Sequence, residues 1–291
     1  MVSYSLIQKY ILDNLGLKYN TNQEDELYSK LSDASSSFGY DDTDDFIIWL
    51  LQQRTTKDIA EKLSSFLTIG ETYFVREKKA LDFLEFDFLP KLIKNRKEKN
   101  QTLRIWSVGC SSGEEPYSVA IILRRLIPNI ADWQIRIDGS DINPKFLNKA
   151  IKGEYSSWSF RGTSDHFKEL NFIRTSVKTF QIKKEIRDMV TFSYVNIADE
   201  LFYLDPTNFS KYDVILCRNV LIYFSKPGIE RVSKRFYQSL NTDGVFIVSP
   251  VEASNLISKN FSRETYEGVT IYRNSPEKII TDSKPANKSN K

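Results

Sequence analysis

Residues 103–118 read LRIWSVGCSSGEEPYS. LRIWSVG is a short run dense in large apolar side chains, which predicts a buried strand. Gly109 and Gly113 follow, and the apolar spacing from Pro116 to Leu126 predicts a helix. A strand, a glycine turn and a helix in that order put the turn at a strand's carboxyl end, where open α/β sheets bind ligands. The turn lacks the three-glycine spacing of the dinucleotide fingerprint, and no Gly-Lys-Ser/Thr makes it a phosphate-binding loop. Glu114 and Glu115 would repel a pyrophosphate at that helix start, so they point to a ligand with a positive group. GCSSG also has the form of a hydrolase elbow with Ser111 as nucleophile. That reading fails on the single histidine, His166, which lies in a segment that does not read as part of the sheet.

Working outward, IRIDGSD (135–141) is a second strand and Pro144 to Ile151 a second helix. VTFSYVN, YDVILC and GVFIVSP are further strands, the last preceded by an Asp243-Gly244 turn. Strands this apolar, alternating with helices, predict an α/β fold with a mostly parallel sheet covered on both faces. Asp141 ends its strand, where a carboxylate can accept both hydroxyls of a ribose. It can equally cap the helix near Pro144, and its place beside a glycine loop favours the ribose. An adenosine-type cofactor with a cation and no phosphate follows, and S-adenosylmethionine, with a sulfonium and an ammonium, fits.

The flanking sequence differs in kind. Residues 1–90 read as helical, with Leu6, Ile7, Tyr10, Ile11 and Leu15 on one face and aspartates capping the FIIWLL helix. Residues 1–60 carry five basic and ten acidic side chains, a net of −5. The basic, weakly apolar stretch 91–102 reads as a linker, 103–273 as the α/β domain, and 274–291 as a disordered tail. Between 153 and 188 the alternation stops, which predicts an inserted small β-subdomain. The 291 residues, 41% hydrophobic and 27% charged with a net charge of +3, suit one large or two modest domains and exclude a polybasic protein. No run of 18 apolar residues and no signal layout occur, so neither membrane insertion nor export is expected, and the expected location is cytoplasmic. Cys110 and Cys217 are too few for a disulfide framework or a cysteine-built zinc site, and both read as reduced, half-buried thiols. No metal site is expected.

Four segments carry a family resemblance: LTIGETYFVRE (67–77), IWSVGCSSGEEPYS (105–118), GSDINPKFLNKAIKGEY (139–155) and ILCRNVLIYF (215–224). With EIRDMVTF (185–192) and VNI (195–197), they resemble the CheR-type chemotaxis receptor glutamate methyltransferases. The resemblance spans about residues 40–273, in the family's order. It implies an all-α N-terminal domain before a class I, Rossmann-like methyltransferase domain with an inserted β-subdomain. It also implies methyl transfer from S-adenosylmethionine, leaving S-adenosylhomocysteine, to glutamates in the cytoplasmic helical domain of a chemoreceptor. A receptor's C-terminal peptide binds the subdomain in some family members. Carried over by position, the cofactor contacts are Thr72, Arg76, Glu115, Asp141, Asn196, Ile197, Arg218 and Asn219, beside the loop residue Gly109. Gly70 stands where the family often has Asn and offers only backbone, and Val75 replaces a usual Phe. Arg76 is also expected to hold the acceptor carboxylate and Tyr223 to orient it, as the catalytic pair. An ionised carboxylate needs no general base, so placement supplies most of the catalysis.

Two other functions compete with this reading. A class I methyltransferase could act on a small molecule or nucleic acid, but no Asn/Asp-Pro-Pro-aromatic motif occurs and the acidic residues 1–60 repel phosphates. A non-catalytic S-adenosylmethionine sensor would not need Arg76 and Tyr223.

Overall fold

The computed structural model describes residues 3–199 and 211–275. Four helices come first: α1 (Tyr4–Leu15), α2 (Glu24–Ser35), α3 (Thr43–Gln52) and α4 (Lys57–Leu67). Their apolar stripes enclose one core around Ile11, Leu27, Phe46, Leu50 and Leu63. Asp42 caps α3, its carboxylate accepting from the Asp45 amide at 2.9 Å. On α1, Ile7, Ile11 and Leu15 are buried, but Leu6 is 56% exposed. It lies one step around the helix from the stripe that the spacing placed it on.

A strap, Thr68–Glu77, leads to α5 (Lys78–Asp82), a π-helical turn (Phe83–Phe88) and α6 (Leu89–Arg96). The expected linker at 91–102 therefore begins inside a helix. Arg96 ends α6 with both terminal guanidinium nitrogens donating to the buried carboxylate of Asp213, at 2.6 and 2.7 Å. That pair fastens the basic stretch to the sheet instead of leaving it a solvated connector.

The remaining elements, in chain order, are β1 (Thr102–Val108), α7 (Glu114–Leu126), β2 (Gln134–Asp141), α8 (Pro144–Lys152), β3 (Glu154–Ser156), α9 (Asp165–Asn171), β4 (Phe172–Arg174), β5 (Thr179–Ile182), α10 (Lys184–Arg187), β6 (Val190–Tyr194), β7 (Tyr212–Cys217), α11 (Lys226–Ser239), β8 (Leu240–Ile247), β9 (Ser262–Tyr266) and β10 (Val269–Arg273). Seven strands form one sheet in the order β6-β2-β1-β7-β8-β10-β9. The pairs from β6 to β8 are parallel, and β10 runs antiparallel between β8 and β9. This is the class I methyltransferase arrangement. The order reverses between β1 and β7, so a crevice opens at their carboxyl ends. Strand β7 is buried at every residue, as a central parallel strand must be.

Strands β3, β5 and β4 form a separate antiparallel sheet in that order, the inserted subdomain. His166 is exposed on α9 there. Both cysteines are fully buried rather than half-buried, and burial pushes their thiols well above the ordinary value. Among the described residues no helix is long and apolar enough to cross a membrane, and no group of three or more His, Cys, Asp or Glu could hold a metal ion. The tail read at 274–291 lies, beyond Ser275, outside the described residues.

Candidate active site

The crevice widens into a cavity of about 1020 Å³, counted to its open mouth. One wall comes from the ends of β1, β2 and β7, with Val108, Gly109, Asp141, Arg218 and Asn219. Leu15, Leu17, Leu67 and Thr72 bring the helical domain against it, and Val195, Asn196 and Ile197 line it after β6. Arg76 and Tyr223 line it too. Of the cofactor contacts expected from the resemblance, Gly70 alone does not line it, although its carbonyl accepts from Ser111 Oγ at 3.2 Å.

The glycine turn is shaped for close approach. Gly109 has φ 67°, and a Cβ there would stand 2.3 Å from Val220 Cγ2. Ser111 adopts φ 48°, and its amide donates to Asp141 Oδ2 at 2.8 Å. The other oxygen of Asp141 accepts from the Asn143 amide at 2.8 Å. Asn143, not Asp141, caps α8 by accepting from Lys145 and Phe146. Asp141 therefore ties the glycine turn to the start of α8, with its carboxylate on the cavity wall. Burial raises its carboxyl above the ordinary value, against the opposing pull of these amides.

The two glutamates of the motif part company. Glu115 lines the cavity, accepting from Ser107 Oγ at 2.6 Å and from Arg218 Nη1 at 3.0 Å. Glu114 is 1% exposed and turned away, taking Ser112 Oγ at 2.7 Å and Ser159 Oγ of the inserted subdomain at 3.0 Å. The expectation that both face a cationic ligand is thus corrected. Successive helical residues lie about 100° apart, and here the helix turns Glu115 to the cavity and Glu114 to the insert.

Arg218 joins three segments. Beyond Glu115 it donates to Glu77 Oε2 at 3.1 Å and to the Arg76 carbonyl at 2.5 Å. Its Nε is buried and without a partner. The strap that carries Arg76 has left-handed backbone at Val75 (φ 60°) and Glu77 (φ 51°). Such a conformation is rare for a β-branched residue and costs of order 1–3 kcal/mol, so its surroundings must impose it. The Val75 amide donates to Ser118 Oγ at 3.2 Å, and the Phe74 ring is buried among Tyr155, Phe160 and Phe172 of the insert. The Arg76 side chain donates to the Glu71 carbonyl. Burial raises the Tyr223 phenol, and the Arg76 charge works against that shift.

Asn196 lines the cavity, but its amide is engaged with the Asn14 carbonyl at 2.7 Å, so it also joins the two domains. Sequence reasoning missed Phe146. Its ring fills the space over Gly70, where an ideal Cβ would lie 2.3 Å from Cζ. A side chain at position 70 and this ring cannot share that space. The signal was an apolar residue one turn into α8, which reads like any core position.

The family model described as CheR methyltransferase, SAM binding domain, matches residues 70–267. A chemotaxis protein methyltransferase of Borreliella burgdorferi is 30% identical over 250 residues, covering 85% of this chain and 87% of that protein. Chemotaxis protein methyltransferase 2 of Vibrio cholerae is 33% identical over 218 residues, 75% of this chain and 74% of that protein. A probable biofilm formation methyltransferase, WspC, of Pseudomonas aeruginosa is 32% identical over 193 residues, 65% of this chain and 43% of that protein.

Proposed function

Because the chain belongs to the CheR methyltransferase family, whose enzymes use S-adenosylmethionine, we propose that it methylates glutamate side-chain carboxylates in the cytoplasmic helical domain of a chemoreceptor. The observation that carries this is the sharing of one cavity. Acidic Glu115 and Asp141 line it together with Arg76 and Tyr223. A cation-bearing nucleoside suits the first pair and an anionic acceptor the second. The relatives' names span chemotaxis and biofilm formation, so the receptor is assigned by class and not by pathway.

The residues present fit the cofactor. The buried, unpartnered Arg218 Nε adjoins a cavity whose acidic groups suit a sulfonium and an ammonium better than a phosphate. S-adenosylmethionine supplies an electrophilic methyl group when bound. In this reading Asp141 accepts the ribose hydroxyls, and Glu115, Arg218 and Thr72 hold the amino-acid end. Asn196, Ile197, Asn219 and Gly109 shape the remaining walls. Gly70 contributes only its backbone, beneath the Phe146 ring. Arg76 presents a planar fork to the acceptor carboxylate, and Tyr223 fixes its direction through the phenol. No base is assigned, since a glutamate is already ionised at neutral pH. Holding two reactants at contact distance is worth several powers of ten in rate.

Residues 1–90 would recognise the acceptor helices and the 153–188 insert a receptor's C-terminal peptide, with the enzyme in the cytoplasm. The insert's β4 is a sheet edge, and Ile173 on it is 56% exposed, a form suited to strand addition. The test is transfer of a radiolabelled methyl group from S-adenosylmethionine to a receptor fragment. Label released by alkali as a methyl ester, and lost when the acceptor glutamates become alanine, is the expected result. Transfer only to a small molecule or nucleic acid, or none at all, would reject the reading.

A further inference from the structure

The loop Arg218–Phe224 follows β7 and carries Arg218, Asn219 and Tyr223 to the cavity. Only one short 3-10 turn, Leu221–Tyr223, orders it internally. Asn219 stands in left-handed backbone with φ 61°, a conformation asparagine tolerates better than most side chains. With so little internal order, the loop's course depends on support from outside it.

That support is one carboxylate. Glu252 lies in the turn Pro250–Glu252 after β8 and is 6% exposed. Its Oε2 accepts from the Asn219 amide at 2.8 Å and the Ser249 amide at 2.9 Å. Its Oε1 accepts from Val220 at 2.7 Å and Ile222 at 3.3 Å. Four backbone donors fill the lone pairs of an ionised carboxylate, and charge-assisted bonds of this kind are the stronger ones. Three of the four donors belong to the loop. Glu252 is absent from the cavity lining, so its route to the site runs through the loop it holds.

We infer that Glu252 is a positioning residue for methyl transfer: by gathering the amides of Asn219, Val220 and Ile222 it aims Asn219 and Tyr223 at the cavity. This rests on the roles proposed above for those two residues. Glu252→Gln keeps the volume but turns an NH₂ group toward amides that need an acceptor, so the loop must shift. Loss of precise placement commonly costs about a hundredfold in rate.

The experiment is a cycle of Glu252→Gln, Tyr223→Phe and the double variant. Methylation of a receptor fragment, S-adenosylhomocysteine affinity and melting temperature are read on each. Glu252→Gln should lower kcat about a hundredfold and weaken the product cofactor tenfold or more. Tyr223→Phe should slow the otherwise wild-type enzyme but add little to Glu252→Gln, because a displaced tyrosine has nothing left to lose. A purely structural glutamate would lower the melting temperature and leave the cost of Tyr223→Phe the same in both backgrounds, which overturns the inference. If Tyr223→Phe runs at full rate in the wild-type background, the role given to Tyr223 falls. Glu252 is then judged on cofactor affinity alone, and an unchanged value overturns it. Should Glu252→Gln not fold, hydrogen exchange on the wild-type enzyme decides. Protected amides at 219, 220 and 222 support the inference, and exchange at the rate of an open loop refutes it.

Discussion

Arg218 Nη1 and Glu115 Oε2 lie 3.0 Å apart in the cavity wall, the arginine side chain 3% exposed and the glutamate 14%. The pair spans β7 and α7, and its second salt bridge, to Glu77, reaches the strap that holds Arg76. Removing one partner leaves the other charge buried, at a cost of about 3–5 kcal/mol. Arg218→Met is expected to lose stability of that order in denaturant unfolding and to lose cofactor binding. Glu115→Gln retains the Ser107 hydroxyl as a partner and leaves Arg218 its pair with Glu77, so it should lose less stability than Arg218→Met. It should still bind S-adenosylhomocysteine at least tenfold more weakly by calorimetry, because the charge facing the cofactor's ammonium is gone. Unchanged affinity in Glu115→Gln would remove that carboxylate from the cofactor site.

Glu114 gives a pH signature. Burial raises its carboxyl above the ordinary 4.5, with the hydroxyls of Ser112 and Ser159 only partly opposing. The fold thus favours the protonated acid. Its contribution to stability is full below about pH 4.5 and is lost as pH rises through the raised folded value. Glu114→Gln mimics the protonated form, and both serine hydroxyls can turn to accept from or donate to it. The variant should match wild type near pH 4 and become progressively the more stable of the two toward pH 8. A difference in unfolding free energy that stays flat with pH would show that Glu114 does not titrate in the fold.

The same two glutamates mark the limit of what the sequence discloses. Strand β1, its glycine turn and Asp141 were legible because buried strands are apolar and tight turns need glycine. Which glutamate faces the ligand depends on helix rotation relative to the sheet, and neighbouring letters do not carry that. Helix α11 and the β9–β10 hairpin went unread, since their apolar patterns are short and interrupted by charge. Residues 91–102 look like a linker by composition, yet Arg96 finds its partner 117 residues away, a contact no local window contains. Glu252 is disguised differently. Ser249-Pro-Val-Glu252 has the S-x-x-E form of an ordinary helix start, which hides its hold on a distant loop.

Arg76 separates chemistry from folding. Its side chain is half-buried, donates to the Glu71 carbonyl in its own strap and lies 5.9 Å from the Tyr73 ring centroid. Stability therefore should not depend on it by more than about 1 kcal/mol. Lysine keeps the charge but loses the two-pronged geometry. Arg76→Lys and Arg76→Ala are expected to melt near wild type, to bind the product cofactor at least weakly, and to methylate about a hundredfold or more slowly. Melting temperature, affinity and initial rate on the same preparations distinguish the cases. Near-normal methylation by Arg76→Ala would reject the catalytic role, and a large fall in melting temperature would make the residue structural.

The inserted subdomain has two physical jobs open to it, bracing the strap and capturing the acceptor. The brace is visible in Arg161, stacked 3.9 Å from the Tyr73 ring centroid and 4.5 Å from that of Trp158, and paired with Glu71 at 3.3 Å. Capture would use the β4 edge, where a receptor tail adds as a strand and tethers the acceptor near the cavity. Tethering raises the local acceptor concentration without altering the cofactor site. At acceptor concentrations below KM, removing the tail should therefore lower the methylation rate about tenfold or more and leave S-adenosylhomocysteine affinity unchanged. Ile173→Asp places a charge on the exposed edge. It should reduce the rate with a tailed receptor to that with a tailless one, and leave the tailless rate as it was. Initial rates for the four combinations of enzyme and receptor give the answer. Equal rates with and without the tail would mean that the insert acts only through Arg161, Phe74 and Glu114, as a brace for the strap beneath Arg76.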